Sequence, residues 1–192
     1  MNKLRFAIIA LVLISCGTSY KNPHVKIYTN LGDIEVELFP DKAPKTVAAF
    51  LSYVDSGYYK DGAFYRVIME EGPTNATNTG LIQGGIWQTN DKQHPAIPGI
   101  EHESTRQTGL SHTSGTISLA RTTLGSASTE FFICIGNQTQ FDEGHDTPED
   151  GKGFAAFGKV VEGMSVVREI QRQRSSNEHF DKNITIYKMA RL

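Results

Sequence analysis

The chain has 192 residues and a formal net charge of −2, which gives room for one compact domain and no electrostatic pull toward polyanions. Its 39% hydrophobic and 21% charged content is that of an ordinary soluble globular protein, which excludes a disordered or fibrous chain. No basic stripe, internal repeat or low-complexity tract stands out, so nucleic acid is not an expected partner and a solenoid is excluded.

In chain order, Lys3 and Arg5 precede an apolar run over 6–14 that is too short to span a bilayer as a permanent helix. The run ends in Leu13-Ile14-Ser15-Cys16-Gly17, which resembles a bacterial lipobox. That resemblance implies a lipoprotein signal peptide over 1–15, lipidation at Cys16 and a polar tether over 16–23. Anchoring would rest on acyl chains, each buried methylene contributing about 0.8 kcal/mol. An ordinary secretory signal with an incidental cysteine is the alternative. Loss of Lys3 and Arg5 with the leader takes the formal charge from −2 to −4. With Cys16 acylated, Cys134 has no disulfide partner, and its apolar strand makes it an inert buried thiol. The expected location is the bacterial cell envelope, lipid-anchored and facing the periplasm.

A folded domain is expected over 24–192. Val25-Lys26-Ile27-Tyr28 and Ile34-Glu35-Val36-Glu37-Leu38 alternate around Asn30, Gly32 and Asp33, which predicts a hairpin. Pro44 opens a helix in which Val47, Phe50, Leu51 and Val54 recur at helical spacing, with Gly57 as its stop. Strands follow at 63–68, 81–83, 116–120, 131–135 and 155–160, then a helix over 164–171 and a last alternating strand over 184–189. Short connections make the pairing mainly antiparallel. The expectation is a mainly β fold: a closed eight-stranded antiparallel barrel capped by two helices.

The side-chain period of two places Arg66 with Phe64 and Ile68, Gln83 with Leu81, and Glu130 with Phe132 and Cys134. Three strands thus each offer one charged or amide group among apolar neighbours, the pattern of a shallow apolar pocket with a few fixed polar groups. The segments Phe64-Tyr65-Arg66-Val67-Ile68, Leu81-Ile82-Gln83-Gly84-Gly85 and Gly115-Thr116-Ile117-Ser118-Leu119-Ala120-Arg121 resemble those of the cyclophilin-type peptidyl-prolyl cis–trans isomerases. So do Ser128-Thr129-Glu130-Phe131-Phe132-Ile133 and Phe157-Gly158-Lys159-Val160-Val161-Glu162-Gly163, in the family's order. The resemblance implies the cyclophilin barrel, proline-containing polypeptides as substrates, no cofactor and no metal, and a monomer. It gives Arg66 the catalytic role and assigns the proline pocket to Phe132, Leu81 and Ala120. Gln83 would bind peptide backbone and position Arg66, with Phe64, Arg121, Thr122, Glu130, Phe141 and Phe154 completing the substrate-binding set. Taken alone, a strand arginine is more often a surface ion-pair partner.

Several departures from the family pattern stand out. Glu130 replaces the usual glutamine and is expected to pair with Arg66. Gln140-Phe141 lacks the tryptophan associated with cyclosporin binding, and Trp87 lies elsewhere in the sequence and is not read as its replacement. Phe154 takes the usual histidine position. The stretch 69–80 reads as a polar insertion, and 142–153 as a solvated acidic loop without the sixth-position glycine and twelfth-position acid of a calcium loop. These departures leave open a second reading, a membrane-tethered module or chaperone that binds proline peptides with little turnover.

Overall fold

The computed structural model describes residues 20–71, 78–89 and 97–192, so the expected signal peptide and Cys16 lie outside the described residues. The end of the expected tether is tied down: the Tyr20 ring stacks on His24 at 3.8 Å, and the Asn22 amide donates to Glu37. Among the described residues no helix is long and apolar enough to cross a membrane.

The hairpin forms as predicted, β1 (His24–Thr29) against β2 (Gly32–Leu38), in register from His24 opposite Glu37 to Thr29 opposite Gly32. Then come α1 (Pro44–Asp55), β3 (Gly62–Glu70), β4 (Thr79–Gly85) and a one-turn α2 (Thr105–Thr108). The chain continues through β5 (Thr116–Leu119), β6 (Phe131–Ile135), β7 (Ala155–Glu162) and α3 (Met164–Gln171). It ends in a two-residue β8 (Ser175–Ser176) and a long β9 (His179–Arg191). Neighbours run β1-β2-β7-β5-β6-β4-β3-β9, all antiparallel, and β9 pairs back onto β1. Eight strands therefore close the expected barrel, with β8 hanging from β9. The extra helix, α2, is too short for periodicity to reveal. Its local signal is a capping box between Ser104 and Gln107 and a left-handed stop at Gly109.

Alternation sorts the strands into two environments. Ile82, Ile117, Phe131, Ile133 and Phe157 point into the barrel and join the core that α1 closes with Val47, Phe50 and Leu51. Pro44 opens α1 as predicted, and the cap comes from far away in the chain. The Glu103 carboxylate accepts the backbone N–H groups of Lys45 and Thr46 at 3.1 and 2.8 Å, placing an anion on the helix N-terminus. On the outer face of β4 and β6 a second cluster, Leu81, Phe132, Cys134 and Phe141, gathers Ile68, Ala120 and Phe154.

The strand β3 breaks the period of two. Phe64 opposes Gly84 and Arg66 opposes Gln83, so two steps along β3 match one along β4. This bulge at Tyr65 turns Phe64 into the barrel, fully buried and edge-on to Phe131 at 5.6 Å, while Arg66 stays outside. Phe64 is therefore a core residue and not part of the substrate-binding set. The reading of 69–80 as a loop is corrected in part as well: Met69 pairs with Gly80 and Glu70 with Thr79, lengthening the hairpin. Residues 72–77 lie outside the described residues. Phe64→Ala is expected to cost about 3–5 kcal/mol of unfolding free energy through the cavity it leaves. Phe64→Leu should lose clearly less, both read from denaturant melts of the same domain.

Candidate functional site

An open cleft of about 670 Å³ lies on the outer face of the barrel, over β3, β4, β5 and β6. Its apolar end is a box of three rings. Phe132 meets Phe141 at 5.6 Å and Phe154 at 5.3 Å, and Phe141 meets Phe154 at 5.5 Å, all near perpendicular. Edge-to-face rings of this kind make a rigid apolar seat. Leu81, Ala120 and Ile68 complete the lining. The Phe132 ring rests on His112 at 5.7 Å with planes 14° apart.

His112 is held on both sides. Its Nδ1 lies 2.6 Å from Asp142 Oδ1 and its Nε2 lies 3.0 Å from Ser118 Oγ. Serine, histidine and aspartate in this order have the connectivity of a nucleophilic triad. Ser118 and His112 are both fully buried, so no substrate carbonyl can reach the hydroxyl, and the set serves as a floor. Burial raises the Asp142 carboxyl, but hydrogen bonds from His112 and Ser111 outweigh it and hold the group below the usual range. Burial pushes the Cys134 thiol far up, in keeping with an inert residue.

Arg66 stands at the polar end. Its Nη1 donates to Gln83 Oε1 at 3.2 Å, and the Gln83 amide donates to Tyr65 Oη at 2.9 Å. Tyr65 in turn donates to Glu130 Oε2 at 2.6 Å. The direction of this chain is forced. An ionised carboxylate only accepts, so the phenol donates to it and accepts from the amide, which leaves Oε1 to face the guanidinium. Burial, reinforced by the Glu130 charge, keeps the Tyr65 proton on far above the ordinary range.

The family model for cyclophilin-type peptidyl-prolyl cis-trans isomerases matches residues 24–191. The chain belongs to this family. It is 34% identical over 181 residues to a peptidyl-prolyl cis-trans isomerase of Acinetobacter baylyi, covering 94% of this chain and 88% of that protein. Peptidyl-prolyl cis-trans isomerase B of Escherichia coli is 36% identical over 148 residues, covering 77% and 83%. Among solved structures, a Cryptosporidium parvum cyclophilin-type isomerase matches with a TM-score of 0.69 at 22% identity, covering 89% of this chain and 98% of that one. The same protein in the presence of the dipeptide Ala-Pro matches at 0.66.

In this cyclophilin-type cleft the structure gathers Arg66, Leu81, Gln83, Ala120, Arg121, Thr122, Glu130, Phe132, Phe141 and Phe154 on one lining, and leaves Phe64 out. One expected contact is corrected. Glu130 does not pair with Arg66: its Oε1 accepts the backbone N–H groups of Ile86 and Trp87 at 2.8 and 3.0 Å, and its Oε2 takes Tyr65. A left-handed bend at Gly85 brings those N–H groups to it, and a Cβ at Gly85 would sit 2.3 Å from the carboxylate. The carboxylate on Arg66 is Glu178 instead. Arg121 lies on the cleft lining with an almost fully buried side chain that pairs with Asp150 and donates to Gly153 O. Its hydrogen bonds hold the Asp150 carboxyl down to about 2. Thus 142–153, read as a solvated loop, is pinned along the cleft, and its Thr147 joins the lining.

Sequence reading missed Tyr65, Trp87 and Glu178. The signal for Tyr65 was Gly84-Gly85 across from it, since glycines in a strand often mark a bulge or close approach. Trp87, more than half exposed, lines the cleft after all. Glu178 sits in a tight turn that periodicity does not see. Glu130→Ala would remove the acceptor shared by the Ile86 and Trp87 N–H groups and the Tyr65 hydroxyl and is expected to cost about 2–4 kcal/mol in a denaturant melt. Glu130→Gln keeps an acceptor for the backbone groups and should retain most of that stability.

Proposed function

We propose that this cyclophilin-type protein is a lipid-anchored peptidyl-prolyl cis–trans isomerase acting on exported polypeptides at the bacterial envelope. Rotation about an X–Pro bond must lose amide resonance, with a barrier of about 18–20 kcal/mol. No nucleophile, metal or proton shuttle is required; a catalyst need only bind the twisted amide better than either planar isomer. The observation that carries the reading is the juxtaposition within one cleft of an apolar end walled by three rings and the Arg66 guanidinium. Phe132, Phe141 and Phe154 grip the proline ring. As the bond twists, Arg66 donates to the pyramidal nitrogen or the rotating carbonyl, and Gln83 holds Arg66 for that contact.

Support for the envelope location comes from Lys3, Arg5 and the Leu13-Ile14-Ser15-Cys16-Gly17 stretch. Cys16→Ala is expected to move the protein from the membrane fraction to the soluble one; unchanged fractionation removes the anchor from the proposal.

A second reading, a proline-peptide-binding module with little turnover, draws on Glu178, which already occupies one edge of the guanidinium. NMR exchange spectroscopy on an Ala-Pro peptide separates the two. Substoichiometric protein should accelerate cis–trans exchange, and Arg66→Ala should lower the rate by about 10²–10³-fold, as for loss of one pre-aimed donor, with an unchanged fold. Peptide line broadening without faster exchange favours the binding module.

A further inference from the structure

Glu178 is the feature of this site that the isomerase reading does not yet use. It follows Asn177 in the two-residue turn between Ser176 and His179, which face each other across β8 and β9. Both turn residues are left-handed, with φ of 52° for Asn177 and 63° for Glu178. Such hairpin turns favour asparagine followed by glycine, because the second position carries a Cβ only under strain. A glutamate there goes against local preference, and a strained non-glycine residue beside a site is a pointer to a role at that site.

What the strain secures is visible at the guanidinium. Glu178 Oε2 accepts from Arg66 Nη2 at 2.5 Å and from Nε at 3.1 Å, while its backbone carbonyl accepts from Val67 N at 2.8 Å. With Nη1 on Gln83, three of the five N–H groups are engaged along two edges of the plane. One hydrogen on each Nη remains for an incoming amide. A strand arginine otherwise swings on four rotatable bonds, and holding it in place before substrate arrives removes that cost from the reaction.

We propose that Glu178 is a positioning residue for Arg66, fixing the guanidinium plane against Gln83 from a turn that local preference would give to glycine. The proposal rests on the isomerase reading above. Glu178 acts through Arg66 and touches no substrate atom. Its side chain is about half exposed, so the pair is worth up to about 1 kcal/mol, or roughly fivefold in rate.

The test compares the parent domain with Glu178→Gly and Glu178→Gln by exchange spectroscopy on the Ala-Pro peptide. Thermal melts and the Arg66 Nε–H resonance are recorded alongside. Glycine suits the turn, so Glu178→Gly should melt at or above the parent while kcat falls about two- to fivefold with KM little changed. Glu178→Gln, which keeps a neutral acceptor, should fall between. The Arg66 Nε–H signal should move in Glu178→Gly. A kcat at or above the parent in Glu178→Gly overturns the proposal, and a lower KM with it would mark Glu178 as a competitor of substrate. An unmoved Nε–H signal overturns it independently. No catalysed exchange by the parent overturns the isomerase reading and the positioning role with it, even where the resonance moves and the contact is real.

Discussion

The site depends on one extra residue in β3. Because Tyr65 has no opposite number in β4, Phe64 and Arg66 fall on opposite faces of the sheet although they are two apart in sequence. The inward Phe64 ties β3 to the aromatic core through Phe131, and the outward Arg66 reaches the cleft beside Gln83. Tyr65 itself, displaced from the ladder, turns its hydroxyl to Glu130. The bulge is possible because the facing residue is glycine: a Cβ at Gly84 would meet the Ala63 carbonyl at 2.6 Å and the Phe64 ring at 2.9 Å.

Around this distortion the polar groups are satisfied in one direction only. Glu130 accepts from the backbone beyond Gly85 and from Tyr65, which fixes Tyr65 as a donor, Gln83 as its donor in turn, and Arg66 as the donor to Gln83. A glutamine at 130 would leave that order open, because its amide can donate as well as accept. The acidic residue thus acts at a distance on Arg66 through two intermediates. The apolar half of the cleft is fixed in a different way, by perpendicular rings over an imidazole that Asp142 and Ser118 lock in plane. One end is held by directed hydrogen bonds and the other by packing, so little reorganisation is left for the moment of reaction.

The loop 142–153 connects these halves to the rest of the domain. Asp142 at its start serves His112, Glu143 takes the Ser104 hydroxyl, and Asp150 near its end holds Arg121 beside Phe154. Its acidic composition reads as solvation in a sequence, because carboxylates are usually exposed. Here their partners come from three separate stretches of chain, and no local pattern announces them.

Alternation, helical spacing and turn residues were enough to set the barrel, α1 opening at Pro44 and α3 over Met164–Gln171, because these depend on which side chains avoid water at short range. The outward placing of Leu81, Gln83 and Phe132 followed from the same rule, each lying in an unbroken strand. The rule failed at Phe64, where a bulge inverts the face, and at the partner of Arg66, which comes from a turn more than a hundred residues away. The sequence by itself determined the family, the barrel and most of the cleft lining, since those are written in local patterns of polarity. Tertiary structure alone decided which carboxylate meets Arg66, what Glu130 holds and how Arg121 is spent. Pairing between distant charged groups depends on chain geometry after folding, and residue spacing along the sequence carries no trace of it.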